Sequence, residues 1–104
     1  MDLNQDPTQP VEVADINNWE VHDGMVKGDT LFLAHAGNSI FSIWDVSNPA
    51  NPLLLGQNQT VGYYSHNIWA SDDGEYIYTT EEDNGGYLSA VSYTHLTLPT
   101  ILLV

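Results

Sequence analysis

The chain has 104 residues, and a single basic residue, Lys27, stands against fourteen aspartates and glutamates, for a formal net charge of −13 at neutral pH. That balance argues against nucleic acid and anionic membrane surfaces as partners, since both need clustered Lys or Arg to displace counterions. The lack of cysteine removes disulfides, thiolate metal sites and thiol nucleophiles, and no apolar run approaches the length of a membrane span.

In chain order, residues 11–16 alternate apolar and polar side chains and predict a short outer strand. Residues 21–27 predict a second strand that stops at the turn dipeptide Gly28-Asp29. Residues 31–34 return antiparallel, and Gly37-Asn38 turns the chain again. Residues 40–46 make the next strand, ending in Trp44-Asp45. Residues 52–55 follow at the periphery, where Pro52 cannot interrupt a central ladder. A second cycle starts at residues 63–70, turns at Asp72-Asp73-Gly74, returns over 76–80, turns at Asn84-Gly85-Gly86 and opens a further strand at 87–90. No useful stretch has a 3.6-residue apolar period, so the fold class is all-β.

The two cycles match. Asp6-Pro7-Thr8-Gln9-Pro10 is echoed about 42 residues later by Asn48-Pro49-Ala50-Asn51-Pro52, and His22 answers to His66. Residues 28–33 answer to 73–78, and residues 39–43 to 86–90. Four short antiparallel strands in each period of this length describe a blade of a β-propeller. The expected architecture is thus about two four-stranded, antiparallel, propeller-like blades, at roughly 17–56 and 61–90, within a repeat domain spanning 1–90.

The run Trp44-Asp45-Val46-Ser47-Asn48-Pro49-Ala50-Asn51-Pro52-Leu53-Leu54-Leu55-Gly56, with Ser65-His66-Asn67-Ile68-Trp69 and Tyr76-Ile77-Tyr78-Thr79-Thr80-Glu81-Glu82, resembles the LVIVD-repeat proteins, in particular the choice-of-anchor B group. The resemblance covers residues 2–90. It implies a β-propeller-like fold, a bacterial origin, export and attachment at the cell surface, with no established reaction. A departure occurs at residues 91–100, where an aromatic-Asp pair like Trp44-Asp45 is due. Those ten residues are the translation of GTCTCTTATACACATCTGACGCTGCCGACG, which looks like a transposon-end sequencing adapter. Residues 91–104 are accordingly expected to be a non-native tail, with natural sequence ending near Ala90.

Strand direction in a blade puts His22, Asp23 and His35 on one rim, and His66, Asn67, Glu81 and Glu82 on the same rim of the next blade. His22, Asp23, His35, His66 and Glu81 are the candidate metal ligands. Neutral imidazole with carboxylate suits zinc, manganese or iron when three ligands reach about 2.0–2.2 Å from one point. His22 and His66 are expected one blade apart, with Glu81 the carboxylate nearest His66. The same groups could run acid–base chemistry. A structural role, with imidazole tied between backbone and carboxylate, ranks first, because the spacing matches no zinc motif.

Two acidic turns, Glu81-Glu82-Asp83-Asn84 and Asp72-Asp73-Gly74, offer hard oxygens to calcium without the EF-hand order. Trp19, Trp44, Trp69 and most tyrosines read as packing between blades, with Tyr63 and Tyr64 the pair most suited to stacking a sugar. Asn58-Gln59-Thr60 fits a glycosylation sequon. No catalytic residue is assigned and no organic cofactor is expected; a divalent metal, calcium or a transition metal, is the one cofactor these residues admit. The expected function is a non-enzymatic surface module that binds protein or glycan outside the cell. The alternative is a metal-dependent enzyme or metal-binding propeller using the His/Asp/Glu rim.

Overall fold

The computed structural model describes residues 6–16, 19–82 and 85–92, together with the backbone of 100–103. Its strands are β1 (Asp23–Lys27), β2 (Thr30–His35), β3 (Ile40–Asp45), β4 (Leu53–Gln59), β5 (Ser65–Ala70), β6 (Tyr76–Glu81), β7 (Leu88–Ser92) and β8 (Thr100–Leu103). They form two antiparallel meanders, β1-β2-β3-β4 and β5-β6-β7, with β8 along the outer edge of the second. The all-β expectation holds: among the described residues the one helical element is a 3-10 turn at Ala36–Asn38. No helix among them is long and apolar enough to cross a membrane.

Two expectations need correction or extension. Residues 11–16 do not form a strand; Val11 makes an isolated bridge and stays exposed, so the segment buries too little to sustain a ladder. The second sheet also runs beyond residue 90: β7 continues through Val91 and Ser92, Val91 is buried, and β8 lies wholly within the segment read as a foreign tail.

Local chemistry explains the hairpins. Gly28, at φ 59°, supplies the left-handed residue of the two-residue turn between β1 and β2. Between β2 and β3 the 3-10 turn ends at Ser39, whose φ of 55° is also left-handed, and its N–H donates to the Ala36 carbonyl at 3.1 Å. The Ser39 carbonyl then accepts from Thr60 N–H at 2.7 Å, which ties the end of β4 to this turn.

Alternation along the strands builds the core. Phe32 and Ala34 of β2 and Phe41 and Ile43 of β3 lie on one face of the first sheet and pack against Ile68, Ala70, Ile77 and Val91 of the second, with Met25 at the margin. Phe32 faces Ile43 and Ala34 faces Phe41 across the first ladder, while Ile77 sits between Ala70 and Val91 in the second. Each large side chain buried here contributes about 1.5–3 kcal/mol. The reverse face of the first sheet buries Leu33, His35, Ser42 and Trp44, and Trp19 closes over His35 with an edge contact at 5.2 Å. The reverse face of the second sheet carries Trp69, Tyr78 and Leu88, all exposed, Trp69 to 62%.

The ladders refine the match between the two cycles. Asp23 pairs with Ala34, and Asn67 with Thr80. With His22 equivalent to His66, this places Phe32 at Tyr78 and Leu33 at Thr79. Phe32 also pairs with Ile43 and Tyr78 with Ala90, so residues 39–43 do answer to 86–90. The correspondence of 28–33 with 73–78 is one residue out. The cause is loop length: two residues lie between the closing pair Lys27 and Thr30 of the first hairpin, whereas the second closes through Ser71 N–H to the Tyr76 carbonyl with four residues between them. One consequence governs the architecture. The face that the first sheet presents to the second is equivalent to the exposed Trp69, Tyr78 and Leu88 face, not to the Ile68, Ile77 and Val91 face that it meets.

Candidate metal site

β1 and β5 run side by side, joined by bonds between residues 44 or 45 apart in sequence. Asp23 accepts from Ile68 N–H at 3.0 Å and from the Asn67 amide at 3.2 Å. Ala70 N–H points at the Met25 sulfur at 2.9 Å, and the Lys27 ammonium reaches the carbonyls of Ser71 and Asp72. At the end of this seam the same offset brings His22 to His66.

His22 directly precedes β1, its N–H bonded to the Ala34 carbonyl at 2.9 Å. Its ring Nδ1 lies 2.9 Å from the His66 carbonyl. A carbonyl can only accept, so Nδ1 is the donor of this bond, and in the neutral ring the lone pair sits on Nε2. The two imidazoles are 4.5 Å apart between centroids, and Tyr64 abuts His22 edge-on at 5.7 Å. His66 Nε2 lies 3.2 Å from a Glu82 oxygen, and the Glu82 backbone is anchored by its N–H to the Tyr64 carbonyl at 3.1 Å. One ligand atom from each of His22, His66 and Glu82 falls within 4.8 Å of the others.

The predicted ligands divide. His22 and His66 come together in ring contact. Asp23 is adjacent, but its Oδ2 accepts from the Ile68 N–H and from the Asn67 side-chain amide of β5, and it is not among the grouped ligand atoms. Glu81 is not the partner of His66: it shares the inward face with Ile77 and Thr79, is buried, and accepts from Tyr64 N–H at 3.0 Å, beneath Gly62. A Cβ at Gly62 would sit 2.6–2.9 Å from the Glu81 side chain, so only glycine allows this approach. Glu82, one step along and past the end of β6, turns outward to the rim. The signal for it lay in the alternation, since a core Ile77 commits Glu81 to the interior.

His35 does not join the rim either, because it lies on the opposite face of β2 from Phe32 and Ala34. It is fully buried, with Nδ1 donating to the Glu20 carbonyl at 3.2 Å and Nε2 accepting from the Ser42 hydroxyl at 2.7 Å. Ser42 in turn accepts from Trp44 Nε1–H at 2.8 Å. Burial pushes the His35 imidazole below the usual histidine range, against the raising effect of the Glu20 and Trp19 carbonyls. This relay fixes a neutral ring, and its Ser–His pair is sealed from solvent, unlike a nucleophile with its base.

The turn at Asp72-Asp73-Gly74 is satisfied internally. Asp73 accepts from the Ser71 hydroxyl at 2.6 Å and from Glu75 N–H at 3.0 Å, which holds its carboxyl below the ordinary carboxylate range, and Lys27 already places a cation beside the loop. In the second acidic turn, Asp83 and Asn84 lie outside the described residues. Thr60 of the sequon is buried in the folded chain. Tyr63 stands 85% exposed, next in sequence to Tyr64. No protein-family model and no curated protein sequence matches this chain.

Proposed function

We propose that the chain is part of a β-propeller of the LVIVD-repeat type, exported and attached at the cell surface, and that it works by binding protein or glycan rather than by catalysis. The observation that carries the architecture is the stacking of the two meanders. They pack with non-equivalent faces while equivalent residues of β1 and β5 touch along one seam, as units related by a rotation about a common axis must do. The exposed Trp69, Tyr78 and Leu88 face is then the surface for a following unit, since its equivalents in the first sheet are core.

The binding surface is the rim carrying His22, Tyr63, Tyr64, His66 and Glu82. It combines the exposed Tyr63 and half-buried Tyr64 rings, imidazoles and a carboxylate, groups that stack on and hydrogen-bond to sugars and peptide chains. Catalysis finds less support, because the hydroxyl bonded to an imidazole, Ser42, is buried in the His35 relay. A panel of bacterial surface glycans and peptides titrated onto the chain tests the proposal. Binding is expected to weaken at least tenfold on Tyr63→Ala, with an unchanged β-sheet spectrum. A defined turnover that appears on addition of one transition metal would replace this reading by the metal-dependent enzyme.

A further inference from the structure

We infer that His22, His66 and Glu82 form a divalent-metal site that bridges the two sheets, selective for a zinc-like ion over calcium. The inference stands on side-chain geometry and holds whatever ligand the rim binds. Two imidazoles with one carboxylate are a borderline donor set, which suits zinc and its transition-metal neighbours, whereas calcium wants six to eight oxygens.

Three features assemble the site. The His22 Nδ1–H bond to the His66 carbonyl is the outer contact that typically orients a ligating imidazole, and it leaves Nε2 as the donor atom. His66 Nε2 already faces the Glu82 carboxylate at 3.2 Å, close to the separation of about 3.3 Å between two ligand atoms of a tetrahedral zinc. The largest separation among the three ligand atoms, within 4.8 Å, closes by rotamer adjustment, because His22 and Glu82 are exposed and His66 is only half-buried. Three protein ligands leave a coordination position open to water or to a group on a bound partner.

The ligands come from both sides of the seam: His22 adjoins β1, His66 lies in β5, and Glu82 follows β6. A bound ion therefore ties the sheets together and raises the free energy needed to part them. His22 and His66 occupy equivalent positions of the two cycles, so the site belongs to the junction between units rather than to either one.

The test is a zinc titration of the whole 104-residue chain carrying His95→Asn, followed by calorimetry and by the ring ¹⁵N resonances of the remaining histidines. One zinc per chain is expected, with the His22 and His66 ring signals shifting together, the His35 signals fixed, and the melting temperature raised. Calcium at the same concentration should leave all three rings unmoved. Glu82→Gln, at an exposed position that the fold does not need, should weaken zinc at least tenfold, and His66→Ala should abolish stoichiometric binding. Zinc that fails to move the His22 and His66 signals, or that binds equally well to the Glu82→Gln chain, would overturn the inference.

Discussion

His35 shows how much a single side chain can settle. Its neutral ring is the middle of a chain of donors running from Trp44 through Ser42 to the Glu20 carbonyl, and every polar atom in that chain has a partner. Ser42→Ala would leave His35 Nε2 and Trp44 Nε1 buried and unpaired, so we expect a loss of about 1–3 kcal/mol in chemical denaturation. His35→Ala adds a cavity to the same defect and should cost about 2–4 kcal/mol. Protonation in the folded state is disfavoured, so the unfolded chain binds more protons below about pH 6.5. The His35 contribution to stability should therefore fall as pH drops from 7.5 through the lowered native value, and level off below it. Denaturation midpoints at pH 7.5 and 5.5 check this, and the His35→Ala variant should show a flatter dependence. The sequence allowed His35 either a structural or a ligating role, because a histidine at the end of a strand carries no mark of which face it takes. The face was decided by Phe32 and Ala34, whose burial against the second sheet sends the intervening residues the other way.

The strands from residue 21 onward were legible because turn residues punctuate them: Gly28-Asp29, Gly37-Asn38 and Asp72-Asp73-Gly74 all fall between observed strands. Alternation without a partner misled at residues 11–16, where no ladder forms. A subtler difficulty is parity. Turn dipeptides suggested a match between residues 28–33 and 73–78, but the longer second hairpin shifts the register by one and exchanges the faces of Ile77 and Tyr78. The same alternation moved the rim carboxylate from Glu81 to Glu82. The seam between β1 and β5 was not visible at all, since it depends on bonds between sheets. Asp23 is its most informative member, accepting two donors from β5. Asp23→Ala leaves the Ile68 N–H without its acceptor and should lower stability by about 1–3 kcal/mol, whereas Glu12→Ala, on an exposed irregular segment, should change it by less than about 0.5 kcal/mol. Urea titrations of the two variants compare them directly.

For the molecule as a whole, a charge of −13 and an uncovered apolar sheet face act in opposite directions. Self-repulsion keeps chains apart at low ionic strength, and screening at about 0.15 M salt, where the Debye length is about 8 Å, removes much of that barrier. Sedimentation should show association that grows with salt and with protein concentration, and Trp69→Lys should suppress it, because Trp69, beside Tyr78, is more exposed than Tyr78 or Leu88 on that face. The two sheets stack with non-equivalent faces, Ile68 and Ala70 inward and Trp69 outward. A methyl and aromatic NOESY spectrum tests this most directly. Cross-peaks are expected from the Met25 methyl to Ala70 and from Phe32 to Ile68, with the Trp69 indole showing none to the first sheet. A Trp69 indole in contact with Phe32 or Ile43, and Ile68 free of them, would contradict this packing.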